Sequence, residues 1–270
     1  MRIAIAALLL SLAALSPAAA SDLSKLHDQM ITPSVFLTMG EGFCSGEIIY
    51  SNRDQDSGDV STYVLTAKHC VANLGSAVLT VSIPTYDDSL IETGSVVYRA
   101  TVDATSWKHD VALLLLDDKK AHFDKVAKIA APDAVLIEGE DSWTVGYPLA
   151  TSRTITKGLI GTQTIEDTGF LSENGGGSAK LAPFVRGTSQ IAPGSSGGAL
   201  YHMTAAGDYE LVGTVTGGYS GHDFVALYSG FADVDDFLKS QESDVFNALF
   251  PNYKDPKKAK PDPGAYYGSH

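Results

Sequence analysis

The chain has 270 residues, of which 32 are acidic and 19 basic, giving a formal charge of −13 at neutral pH. That balance disfavours binding to nucleic acid or to anionic membrane surfaces. The length suits one compact unit with two sub-cores, because a single core stops growing at roughly 250 to 300 residues. The first segment is distinctive. Met1-Arg2 is a short positive start, residues 3–15 are almost wholly apolar, and Ala18-Ala19-Ala20 supplies small residues ahead of Ser21. Residues 1–20 therefore read as a cleavable secretory signal, and its loss removes Arg2 and no acid, taking the charge from −13 to −14. The apolar stretch is short for a membrane span and no later one is long enough, so no membrane insertion is expected. A secreted or periplasmic location follows, where cysteines can pair.

Downstream, short apolar or β-branched runs occupy 34–37, 46–50, 62–66, 77–83, 95–103, 111–116, 143–146, 155–162, 184–187, 198–201, 210–216 and 224–230. Clusters of Gly, Asp, Asn and Ser separate them, which predicts an all-β protein. No internal sequence repeat stands out. Asp54-Gln55-Asp56-Ser57-Gly58-Asp59 places oxygen ligands at alternating positions, but the later bidentate acid of a calcium loop is absent, so a solvated turn is favoured. Glu173-Asn174-Gly175-Gly176-Gly177-Ser178 reads as a flexible loop. Over 233–250, Val234, Phe237, Leu238, Val245, Phe246 and Leu249 adopt helical spacing, with Asp233 placed to cap the first turn. Residues 251–270, rich in Pro, Lys, Gly and Tyr, are expected to form a flexible tail.

The chemistry concentrates in Ala192-Pro193-Gly194-Ser195-Ser196-Gly197-Gly198-Ala199-Leu200. Small residues around Ser196 let a carbonyl approach its hydroxyl, and the N–H groups of Gly194 and Ser196 can converge on a developing oxyanion. Such a serine needs a base. Val64-Leu65-Thr66-Ala67-Lys68-His69-Cys70-Val71 puts His69 at the end of one β-type run, and His109-Asp110-Val111-Ala112-Leu113 puts Asp110 at the start of another. Histidine has the side chain whose ordinary pKa suits that role. His27, His109, His122, His202, His222 and His270 lack this setting and are expected at surface or turn positions.

Taken in order, Thr66-Ala67-Lys68-His69-Cys70, Asp110-Val111-Ala112-Leu113 and Gly194-Ser195-Ser196-Gly197-Gly198 resemble the signatures of chymotrypsin-fold, trypsin-like serine proteases. Pro193 to Leu200, Val145-Gly146-Tyr147-Pro148 and Thr154-Ile155-Thr156-Lys157-Gly158-Leu159-Ile160 look most like the HtrA-type branch, although no PDZ-sized segment follows. The resemblance runs from about residue 32 to residue 240. It implies two six-stranded antiparallel β-barrels within a protease domain spanning 21–250, a crossover near 118–131 and a C-terminal helix. It also implies a His69, Asp110, Ser196 triad cleaving polypeptide substrates, with no cofactor or metal, and a disulfide between Cys44 and Cys70.

Ser195 stands where trypsin-like zymogens carry an aspartate, so activation by a newly released N-terminus is not expected. By the same correspondence Gln190 and Ile191 lie at the floor of the specificity pocket, and Thr216, Gly217 and Gly218 in its wall. Small or medium uncharged side chains would fit. The alternatives are a latent protease-fold protein that binds peptides without turnover, and an esterase using the same nucleophile.

Overall fold

In the strand Val111–Leu116 nearly every side chain is buried, because the two faces meet two different cores. Ala112, Leu114 and Leu116 point into one barrel, while Val111 and Leu113 point out of it into a shared inter-barrel core. Elsewhere the pattern repeats. Ile48 faces inward and Ile49 outward in the first barrel; Leu200 faces inward, with Ala199 and Tyr201 outward, in the second. Two-sided burial explains why these strands read as continuous apolar runs instead of alternating ones.

A computed structural model describes residues 17–74, 77–167, 181–218 and 224–254. Helix α1 (Pro17–Leu26) continues into a single wide turn, His27–Ile31. The first barrel contains β1 (Ser34–Met39), β2 (Gly42–Arg53), β3 (Val60–Ala67), β4 (Leu79–Tyr86), β5 (Glu92–Ser106) and β6 (Val111–Leu116), with α2 (Lys68–Val71) after β3. The second contains β7 (Asp141–Gly146), β8 (Thr154–Asp167), β9 (Leu181–Gly187), β10 (Ala199–Met203), β11 (Tyr209–Gly218) and β12 (Ala226–Gly230). Each barrel is closed and antiparallel, in the orders β1-β2-β3-β6-β5-β4 and β10-β11-β12-β9-β8-β7. Read from its first strand, each barrel has the same order. The halves thus repeat in topology without repeating in sequence.

All twelve expected strands form, most of them extended by several residues. The connection between barrels is held along its length: Ala127 N–H donates to Ile48 C=O at 2.7 Å, and Leu211 N–H donates to Lys128 C=O at 2.7 Å. At the C-terminus the structure corrects the single helix over 233–250. Two helices form, α3 (Phe231–Gln241) and α4 (Ser243–Leu249), divided at Glu242, whose φ of −132° and ψ of 64° are not helical. The cap also differs. Gly230 occupies the N-cap without a side-chain bond, and Asp233 lies inside the first turn.

In the 54–59 turn, Asp54 Oδ1 accepts from the amides of Asp56 and Ser57, and Lys119 pairs with Asp59 at 2.7 Å. Asp54 Oδ1 is thus held by donors of the turn itself and Asp59 by Lys119 from outside it. The glycine-rich loop Glu173 to Ser178 and residues 1–16 of the expected signal lie outside the described residues, as does the expected tail beyond Lys254.

Candidate active site

Register brings His69 and Asp110 together. Strands β3 and β6 pair with Leu65 opposite Leu113 and Ala67 opposite Val111, and the ladder continues one step as Lys68 N–H donates to Asp110 C=O at 3.1 Å. Helix α2 then turns the chain so that His69 faces back. Its backbone N–H donates to Asp110 Oδ1 at 2.9 Å, and its Nδ1 lies 2.8 Å from Asp110 Oδ2. Asp110 is fully buried and accepts through both oxygens. A carboxylate can only accept, so Nδ1 carries the hydrogen and Nε2 keeps its lone pair. Burial lowers the affinity of His69 for its second proton, but the charge and hydrogen bond of Asp110 together more than reverse this, leaving the pKa above 6.5.

The Ser196 turn belongs to the second barrel and is fastened to the first. Ser45 N–H donates to Ser196 C=O at 2.8 Å, and Ser45 Oγ donates to Gly194 C=O at 2.7 Å. The same hydroxyl accepts from Tyr147 N–H at 2.8 Å. Gly197, at φ +80°, lies so close to Thr66 and the Ser45 carbonyl that a β-carbon would overlap both. Gly194, at φ +96°, presses against the Phe43 ring and the Tyr147 carbonyl. These glycines answer to both a left-handed backbone and close approach.

Two carbonyls that border the turn are turned away and occupied. Pro193 C=O accepts from Leu149 N–H at 2.6 Å, and Ala192 C=O accepts from Ser195 N–H at 2.9 Å. Among the described residues nothing accepts from the N–H groups of Gly194 and Ser196. Ser195 is buried, with its hydroxyl accepting from Ala192 N–H.

Cys44 of β2 and Cys70 of α2 form a disulfide across a separation of 26 residues. It anchors the residue after His69 to the strand that carries Ser45.

The expected pocket residues divide. Gln190 and Ile191 line a cavity of about 300 Å³ with Thr144, Pro148, Thr156 and Ser195, whereas Thr216, Gly217 and Gly218 do not line it. They meet at one point, where Ile191 Cδ1 lies 3.2 Å from the place a β-carbon on Gly218 would occupy. Strand β11 pairs with β10 only as far as Thr214, which leaves residues 216–218 with no β10 partner on that edge. On the β12 side Val215 pairs with Tyr228 and Gly217 with Leu227, so Thr216 is the extra residue of a bulge.

Two of the histidines expected at surface or turn positions require correction, while His122 is exposed as expected and His222 and His270 lie outside the described residues. His27 and His109 are buried, the first edge-on to Tyr86 and the second between acids of α3. The Tyr86 ring against His27 and the α3 acids around His109 are distant in sequence, so no local pattern marks this burial. Ser45 and Leu149 also escaped the sequence reading; Ser45 sits in Gly42-Phe43-Cys44-Ser45-Gly46, and Leu149 acts only through its backbone.

Comparison with known proteins agrees with this fold. The family model of the trypsin-like peptidase domain matches residues 44–213. A probable periplasmic serine endoprotease, DegP-like, of Pseudomonas putida (strain W619) is 26% identical over 181 residues, covering 66% of this chain and 32% of its own. The chain thus spans about a third of that relative's length. Among solved structures, the active form of the Rv3671c protease of M. tuberculosis superposes with a TM-score of 0.58 at 19% identity, covering 90% of this chain and 94% of its own. The serine endoprotease of Yersinia pestis gives 0.56 at 17%, covering 82% of this chain and 66% of its own. With a family model matching well over half its length, the chain belongs to the trypsin-like peptidase domain family.

Proposed function

We propose that this protein is a secreted or periplasmic serine endopeptidase in which His69, Asp110 and Ser196 act as the triad. The observation that carries the reading is the two-point grip between His69 and Asp110, which commits Nδ1 and leaves Nε2 as the nitrogen able to act as a base. Ser196 Oγ attacks the scissile carbonyl while its proton passes to His69 Nε2. The resulting oxyanion is received by the N–H groups of Gly194 and Ser196. His69 then gives the proton to the leaving amine, and water repeats the cycle on the acyl-enzyme. Asp110 holds the ring in its tautomer and stabilises the imidazolium. The periplasmic assignment in the relative's name agrees with export.

Substrate would lie extended along residues 216–218 of β11, adding a strand to that edge through backbone hydrogen bonds. Gln190 and Ile191 offer no counter-charge to a basic side chain, so small or medium uncharged residues are preferred. No zymogen ion pair is needed, because Ser195 is held by Ala192 and Pro193 by Leu149.

Intact mass tests the reading directly. A fluorophosphonate should add once to the wild-type chain and not at all to Ser196→Ala or His69→Ala. Because the base must be neutral, the adduct rate should fall as pH drops through a midpoint above the ordinary histidine value of 6.5. Absence of adduct in folded, disulfide-bonded protein would replace this reading with the peptide-binding one.

A further inference from the structure

Asp110 has a φ of +49°, a left-handed conformation that a non-glycine residue adopts at a cost, so its surroundings must hold it there. Part of that hold comes from the other half of the molecule. His109, immediately before it, is 7% exposed, and its ring stands between two acids of α3. Nδ1 lies 2.7 Å from Asp233 Oδ1, and Nε2 lies 3.2 Å from Asp236 Oδ2. The carbonyl of His109 accepts from Ser229 Oγ of β12, and that hydroxyl also meets Thr216 Oγ1 at 3.0 Å. Lys108, one residue earlier, reaches Asp236 at 3.0 Å.

The backbone that delivers the acid of the first barrel is therefore gripped by the second barrel and its C-terminal helix. Asp110 itself bonds to Lys68 and His69 of the first barrel. A rotation about the peptide joining His109 and Asp110 would move the carboxylate away from His69, and the clamp at His109 opposes it. We propose that His109 is a positioning residue, clamped by Asp233 and Asp236 of α3, that sets the Asp110 carboxylate against His69 across the junction of the two barrels. The proposal rests on the reading of His69, Asp110 and Ser196 as the triad. It gives the C-terminal helix a part in catalysis through the residue that precedes Asp110.

The test compares Asp233→Ala, which removes the Nδ1 acceptor, with Asp233→Asn, which keeps an acceptor oxygen, and runs Asp110→Asn in parallel. With a cleaved peptide, Asp233→Ala should lower kcat about 10-fold at nearly constant KM, since small misplacements near the reacting groups are costly. The acid limb should move to lower pH as His69 loses part of its carboxylate partner. Asp233→Asn should recover most of both. If Asp233→Ala does not fold, His109→Gln, which keeps one donor in the clamp, is read in the same way. Unchanged kcat and acid limb in these variants, with only a lowered melting temperature, would overturn the proposal while Asp110→Asn remained strongly impaired. An unimpaired Asp110→Asn would instead overturn the triad reading.

Discussion

Single residues in this molecule owe their character to what surrounds them, and Asp235 is the sharpest case. It lies on α3 at 5% exposure, neither carboxyl oxygen has a hydrogen-bond partner, and burial pushes its pKa from 3.8 up to about 8. The folded chain therefore holds a proton that the unfolded chain releases. Stability from this group is complete below pH 3.8 and is lost as pH rises through about 8. Asp235→Asn should raise the melting temperature at pH 8, corresponding to stabilisation on the order of a few kcal/mol, with little gain at pH 4. Thermal melts at the two pH values check this; an equal gain at both would show that ionisation is not the cause. Sequence gave no warning, since Asp235 resembles the exposed acids beside it and is buried only because α3 packs between barrels. His109 was opaque for the same reason, its partners lying 124 and 127 positions away.

Among the elements, the connection from β7 to β8 contributes through its shape. Leu149 and Ala150 both adopt left-handed backbones, at φ 55° and 53°. This conformation aims the Leu149 N–H at Pro193 C=O, while the Leu149 side chain is 62% exposed and packs little. Leu149→Pro removes the donor and forbids the conformation, at small loss of buried surface. It should lower kcat by about 10²-fold, the scale of losing one oxyanion donor, because the freed Pro193–Gly194 peptide can flip and carry the Gly194 N–H away from the oxyanion position. Leu149→Gly keeps both and should retain kcat. Circular dichroism with steady-state kinetics would distinguish the two variants. Strands were legible because apolar or β-branched runs, continuous in β6, alternate with turn residues along the chain. The break between α3 and α4 was not, since the apolar spacing of Val234 to Leu249 continues across Glu242 and only the backbone records the interruption.

At the scale of the whole molecule, the proposed site draws groups from two closed barrels, so whatever joins the barrels bears on the chemistry. The disulfide ties β2 to α2, and the adjacent Ser45 ties β2 to the Ser196 turn. Replacing Cys44 and Cys70 by alanine should destabilise the fold by about 3 kcal/mol in the chain-entropy view. It should also lower kcat at temperatures where the chain remains folded. Denaturant melts and kinetics of the double variant measure the two effects separately; full activity with lowered stability would confine the bridge to a structural role. The segment before β1 adds another fastening: Met30 is buried in the inter-barrel core, and Gln29 accepts from Tyr209 N–H at 2.8 Å.

The repeated strand order has a consequence for how the chain reaches its working state. Each barrel seals by pairing strands within its own half, β1 with β4 and β7 with β10, so nearly all of its sheet hydrogen bonds are made without the other. Secondary structure can then mature in two separate units, each with its own interior. The assembly of His69, Asp110 and Ser196 belongs to the step in which those units dock. A chain folding in this way would complete nearly all of its sheet hydrogen bonds before the proposed site could form. On the proposed function, this order would delay proteolysis until folding is almost finished and would limit the digestion of one unfolded copy by another equally immature one.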